Sequence, residues 1–167
     1  LPAAPSSLLA LSKGSSDAAV RARAALQYLR WNGQQIDPGK ALASLTDEQR
    51  QRYERGRSEF VVCAACHQPE GQGMEGLAPP LVGSRWATGG PDALVRIVLN
   101  GKSCGDESTM PPLRSLDDET IAAILTYIRR SWGHQSDPIS PEQVQVARGQ
   151  TQDREEPWTD AELEPMN

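Results

Sequence analysis

Cys63-Ala64-Ala65-Cys66-His67 is the stretch on which the reading of this 167-residue chain turns. Two cysteines separated by two residues, with a histidine directly after the second, form the pattern by which a c-type haem is attached. Each thiol can bond one vinyl-derived carbon, and the histidine then lies beneath the iron as an axial ligand. Two other chemistries use paired cysteines. A zinc site needs two further ligands, and the remaining Cys and His, Cys104 and His134, have no paired spacing. A thioredoxin-like pair expects βαβ surroundings, and no strand alternation flanks the motif. The expectation is therefore one haem c, covalent through Cys63 and Cys66, with His67 on the iron.

Composition agrees with a small core that needs a prosthetic group. Apolar residues make up 38% of the chain and aromatic residues 5%, alongside 14 Gly and 13 Pro. A buried porphyrin can supply part of the missing apolar volume. No run of ~18 apolar residues occurs, so no transmembrane helix is expected. Net charge is −5, and haem propionates would add to it, which makes nucleic acid and anionic lipid poor partners. Haem is attached to this motif only after export. A periplasmic or other extracytoplasmic location is thus expected, with either a removed leader or a chain cut from a longer protein. With two cysteines on haem, Cys104 remains as a loop thiol and no internal disulfide is possible.

The organisation outward from the motif is helical. Asp17 to Ala24 opens a helix capped by Ser16 or Asp17, with Val20, Ala24, Tyr28 and Trp31 on one face. Its opening is similar to the start of a HEAT-type helical repeat. A second helix starts after Thr46 and is expected to run into the haem motif, with Gly56 inside it where another helix could cross closely. Residues 68–90 are rich in Gly and Pro and read as irregular. A third helix, with Leu94, Ile97 and Val98 on one face, ends at Asn100-Gly101. The clearest helix follows Ser115, whose spacing to Asp118 is that of a capping box. Ile121, Ile124, Leu125, Ile128 and Trp132 form its stripe, and Gly133 ends it. Ser140-Pro141-Glu142 starts another helix, and Trp158 precedes one closing turn. This gives an all-α chain in three parts: an N-terminal extension (1–45) holding the HEAT-like helix, a haem domain (46–133) and a C-terminal extension (134–167).

The iron needs a sixth ligand unless the protein is a catalyst. Met74 is too close to His67 for the chain to round the porphyrin edge, and Met166 is next to the terminus. Met110 lies in a loop stiffened by Pro111-Pro112, which favours it. His134 and Cys104 stay as lesser candidates, the latter beside Asp106 and Glu107, which oppose a thiolate. The other ring nitrogen of His67 should donate to a carbonyl, and the Pro79 carbonyl is the expected acceptor.

With these residues in view, the chain resembles a class I cytochrome c. The features that carry the resemblance are Gly56 and Phe60 before the motif, Pro79-x-Leu81-x-Gly83 after it, Met110-Pro111, and Leu125-Thr126-Tyr127-Ile128 in the last helix. Phe60 stands one residue closer to Cys63 than is usual in that family. The resemblance covers roughly residues 46–133 and implies three or four core helices around a covalently bound haem. It also implies that Gly56 and Phe60 pack against Tyr127, and that Leu81 contributes with Pro79 to the cofactor site. More closely, the chain looks like the C-terminal cytochrome c module of large bacterial periplasmic proteins with dehydrogenase-like or HEAT-like domains. The function so implied is single-electron transfer with His67/Met110 ligation. Electrons would come from a periplasmic dehydrogenase and pass to a downstream cytochrome or oxidase, the chain being a carrier rather than an enzyme. The alternatives are a haem enzyme such as a peroxidase, or an interaction module docking onto larger domains. Both extensions are expected to pack on the back of the haem domain or on each other, leaving the haem edge near Met110 accessible.

Overall fold

The computed structural model describes residues 5–13, 16–28, 38–103 and 108–167. Helices α1 (Ser6–Ser12), α2 (Asp17–Tyr28) and α3 (Pro38–Ala43) make up the N-terminal part. The Ser16 hydroxyl accepts from the Ala19 amide, so the expected cap forms. Ala19 and Ala22 are buried. The face through Val20, Ala24, Tyr28 and Trp31 lies outside the described residues, as does Cys104.

Helix α4 (Asp47–Glu59) begins with a complete capping box: the Thr46 hydroxyl accepts from the Gln49 amide, and the Gln49 side chain accepts from the Thr46 amide. The sequence reading ran this helix into the cysteine motif. Instead it stops at Phe60, and a separate helix α5 (Val61–His67) carries the motif. The loop that follows is interrupted by a short helix α6 (Arg85–Thr88), where irregular chain was expected. Helix α7 (Pro91–Asn100) has Pro91 in its first turn and ends at Gly101.

Next comes one hairpin of two-residue strands, β1 (Lys102–Ser103) and β2 (Thr109–Met110), antiparallel with Lys102 opposite Met110. Helix α8 (Asp118–Arg130) is capped by Asp117, not Ser115. Asp117 wins because its carboxylate accepts from both the amide (2.7 Å) and the hydroxyl (3.0 Å) of Thr120. The helix also ends earlier than the apolar stripe implied. Trp132 has φ +54° and leaves the helix, its ring joining Phe60 (5.5 Å between centroids) and Tyr127 (5.6 Å). Helix α9 (Pro141–Gln150) carries the Ser140 cap, and the tail closes with α10 (Asp160–Leu163) and a 3₁₀ turn, Glu164–Met166.

What positions everything else is the crossing of α4 and α8. A Cβ on Gly56 would stand 1.9 Å from the Ala123 carbonyl oxygen, so only glycine lets the two backbones meet there. Phe60 then reaches Tyr127 at 5.2 Å despite its shorter distance to the motif. Around this crossing lies one buried cluster in which Val95, Leu99, Ile121, Ile124 and Leu125 are at most 1% exposed. Ile139, Val144 and Ala147 of the C-terminal part belong to the same cluster. The buried Thr126 hydroxyl donates to the Ile139 carbonyl and accepts from its amide, both at 3.1 Å. Arg148 donates from α9 to the Asp118 carboxylate (2.7 Å) and to the Arg114 (2.6 Å) and Leu116 (2.7 Å) carbonyls, fastening the start of α8. The fold is all-α; among the described residues its β content is this small hairpin and two isolated bridges, Met74 with Ala78 and Lys102 with Trp158.

Candidate functional site

Helix α5 ends at His67, and the next residue, Gln68, has φ +65°, a conformation that a non-glycine side chain adopts at some strain. That reversal turns the chain into the loop that comes back beneath the histidine. Gly73 donates to the His67 carbonyl (2.9 Å), and the Leu81 and Val82 amides both donate to the Gly71 carbonyl (2.8 and 3.1 Å). The loop so folded delivers the Pro79 carbonyl to 2.9 Å from His67 Nδ1. With Nδ1 engaged as donor, Nε2 is the nitrogen left to bind. Burial holds the His67 pKa below its ordinary value, partly opposed by the bond to Pro79, so the ring is neutral and its lone pair available near neutral pH.

Cys63, His67, Pro79, Leu81 and Met110 line one narrow cleft. Cys66 sits one turn from Cys63 on the same helix, partly buried and outside the lining. Burial and the neighbouring Cys66 push the Cys63 thiol up to about 11. A thiol so hard to ionise is a poor thiolate donor to a metal, and among the described residues no group of His, Cys, Asp and Glu could hold a metal ion. The rest of the lining is mostly apolar and comes from α7 (Leu94, Ile97, Val98) and α8 (Ile128). An apolar slot with a neutral imidazole, a thiol and a thioether on its walls fits an iron porphyrin, and fits a hydrated ion poorly.

The lining residues that the sequence reading did not assign to the site are chiefly Ser84, Trp86 and Lys102. Leu94, Ile97, Val98 and Ile128 were legible as apolar faces, but not as facing this cleft. Trp86 is on a helix too short to show a period, and Lys102 follows a glycine in a strand of two residues.

The other candidates for the iron lie elsewhere. Met74 is exposed in a tight turn closed by its two hydrogen bonds with Ala78, and Met166 packs against a cluster with Trp158 and Leu163. His134 is 4% exposed, and both ring nitrogens are engaged: Nδ1 donates to the Ile128 carbonyl at 2.8 Å and Nε2 accepts from the Gly83 amide at 3.0 Å. The expectation that both extensions would keep to the back of the domain needs correction at one place. Thr159 and Asp160 of the C-terminal part line a groove with Pro79, Ser84, Trp86 and Lys102, four residues that also line the cleft. The unpaired edge of β1 draws the tail there, since Trp158 bonds to it.

Residues 48–128 match the family described as cytochrome c oxidase, cbb3-type, subunit III. Cytochrome c-552 of Thermus thermophilus is 35% identical over 89 residues, spanning 47% of this chain and 68% of that protein. The cbb3-type cytochrome c oxidase subunit CcoP of Azospirillum brasilense is 40% identical over 88 residues, 48% of this chain and 28% of that one. A fructose dehydrogenase cytochrome subunit from Gluconobacter japonicus is 33% identical over 100 residues, 53% of this chain and 20% of that one. The chain thus spans only a small part of the two longer relatives. All three alignments cover about half of this chain, and the matched family segment runs from α4 through most of α8, which holds the cleft and the helix crossing. The chain belongs to the cytochrome c family, with haem c as its cofactor and electron transfer, rather than catalysis, as its work.

Proposed function

We propose that residues 46–133 form a mono-haem electron-transfer domain in which Cys63 and Cys66 hold the haem covalently and His67 and Met110 are its axial ligands. The observation that carries this reading is that Cys63, His67, Pro79, Leu81 and Met110 line the same mostly apolar cleft. When bound, the haem supplies an iron that cycles between two oxidation states. Met ligation and a buried setting raise its potential relative to two histidines. The chain's own residues supply orientation and dielectric. The Pro79 carbonyl fixes the His67 tautomer, Leu94, Ile97, Val98 and Ile128 exclude water, and Pro111-Pro112 stiffen the segment behind Met110. His134 has no nitrogen to spare for iron, which favours Met110.

Redox partners would approach where apolar side chains are exposed beside the cleft: Met74 is 39% and Leu77 51% exposed, and both line a groove shared with Pro79 and Pro80. Small, transient encounters of this kind suit electron exchange. The relatives named as cytochrome subunits of dehydrogenases and of an oxidase support a dehydrogenase as donor and a cytochrome or oxidase as acceptor. They also support a periplasmic setting. Residues 1–45 and 134–167 are then extensions that brace the domain or join it to larger partners.

The test is direct. Acid–acetone treatment should leave haem on the protein, and haem in the extract would sink the covalent assignment. The oxidised protein should show the weak red-edge absorption of an iron–thioether bond. Met110→Ala should abolish that band and lower the potential. A haem spectrum unchanged by Met110→Ala, but altered by His134→Ala, would give the site to His134.

A further inference from the structure

The strand that faces Met110 is sandwiched. On one side β1 pairs with β2, Lys102 opposite Met110 and Ser103 opposite Thr109. On the other side it pairs in parallel with Trp158: the Trp158 amide donates to the Gly101 carbonyl at 3.0 Å, and the Ser103 amide donates to the Trp158 carbonyl at 2.9 Å. A hairpin of two-residue strands is at best marginal in water, and it persists only where something packs on it. Trp158 packs on it by side chain as well. The indole is 7% exposed in a cluster with Ala93, Ile97 and Leu163, against which Met110 also packs. Arg154 covers one part of the ring, 3.6 Å from its centroid. Just beyond, Asp160 pairs with Lys102 at 2.5 Å.

We propose that the C-terminal segment is a strap that holds Met110 toward the cleft, with Trp158 as its positioning residue. This inference rests on Met110 being the iron's ligand. Trp158 completes β1 as a strand with partners on both edges, β1 fixes β2, and β2 ends at Met110. Gly101 permits the tight join: its φ is +82°, and a Cβ there would stand 2.5 Å from the Met110 carbonyl oxygen. The strap's function is to keep a weak thioether donor in place against stronger competing ligands, which a loop anchored only at its own ends could not do. No atom of the strap needs to touch iron for this.

The experiment is an imidazole titration of the oxidised, haem-loaded full chain, followed by the thioether band. Trp158→Ala removes the indole anchor and loosens the backbone ladder, and should tighten imidazole binding about tenfold. Trp158→Phe, which keeps an aromatic anchor, should restore most of the native resistance. If Trp158→Ala fails to load haem, Ser103→Pro decides. It deletes one strap amide while leaving Trp158 buried, and should tighten binding about threefold. Native imidazole affinity in a folded Trp158→Ala protein, or in Ser103→Pro where that is the deciding variant, overturns the strap. Met110→Ala separates the two readings. If it raises imidazole affinity while the strap variants do not, only the strap fails. If it leaves both the affinity and the band unchanged, the ligand assignment itself fails.

Discussion

The two sides of the cleft are held by different kinds of structure. His67 is fixed from within its own neighbourhood: α5, the reversal at Gln68 and the return of the chain to Pro79 fall within 19 residues, Val61 through Pro79. Met110, among the described residues, is held in a different way. Its strand is two residues long and depends on β1, which in turn depends on Trp158, far along the chain. A strong imidazole donor pre-set by one carbonyl needs only a local loop. A weak thioether donor on a short strand needs a long-range brace. The histidine side should therefore tolerate distant changes that the methionine side does not.

The largest effect that would break this contrast comes from ending the chain at Gly133. That removes Ile139, Val144, Trp158 and Leu163, each at most 7% exposed. Burial of each is worth about 1.5–3 kcal/mol before the cost of ordering the segment. A net loss on the order of 5 kcal/mol is expected, read as a large fall in melting temperature of the haem-loaded protein. The haem should stay covalently attached while the thioether band weakens. Equal melting temperatures for the long and short chains would mean that the extension contributes no stability, and the contrast would lose its physical basis.

Next in size is Gly56→Ala. The added methyl would meet backbone at Ala123, which cannot rotate away, so α4 and α8 must separate. Destabilisation of about 3 kcal/mol is expected by denaturant titration. Because α4 runs into α5, this change probes whether the histidine side is as self-sufficient as its hydrogen bonds imply. The bond from His67 to Pro79 should survive, with ligand spectra unchanged in the fraction that remains folded.

A smaller effect is expected of His134→Ala. This side chain links the loop on the histidine side, through Gly83, to α8, through Ile128. Its removal leaves a half-buried amide and a buried carbonyl without their partner, at about 2 kcal/mol together. The melting temperature should fall, with the thioether band intact. A lost band would show that His134 does more than join the loop to the helix.

These differences also explain what the sequence could reveal. The cysteine motif, the Pro79 carbonyl and the Gly56 crossing were legible because each is a local pattern or a residue type with one physical use. Cap positions are legible to within a residue or two: Thr46 and Ser140 cap as expected, while Asp117 takes the place expected for Ser115, because spacing alone does not show which side chain reaches two donors at once. The two extra residues expected of α8 have a similar origin. Trp132 extends the apolar stripe, but its ring is claimed by Phe60 and Tyr127 once the backbone turns to φ +54°. The Trp158 ladder was not legible at all. Strands of two residues have no period, and their partner lies more than 50 positions away.

The smallest effect concerns acid and the strap. Glu162 sits in the first turn of α10, where it accepts from the Thr159 amide (2.9 Å) and hydroxyl (2.8 Å) and from Arg154 (2.9 Å). The two bonds from Thr159, followed by Arg154, hold its carboxyl below the ordinary carboxylate range. The folded pKa therefore lies under the unfolded one, at about 4.3. Between the two, the unfolded chain binds more protons, so stability rises with pH across that window. The contribution is complete above the unfolded value and disappears as pH falls through the folded one. Glu162 is solvent-exposed, so the effect is small and screened by salt. Glu162→Gln should lower the melting temperature of the haem-loaded chain slightly at pH 7, and the gap from the native chain should narrow as pH falls below the ordinary carboxylate range. The same substitution should weaken Arg154 over the Trp158 ring, and with it the hold on β1. A small rise in imidazole affinity at pH 7 would tie this surface carboxylate to the methionine side. A pH-independent difference between the two proteins would show that Glu162 acts through helix propensity alone.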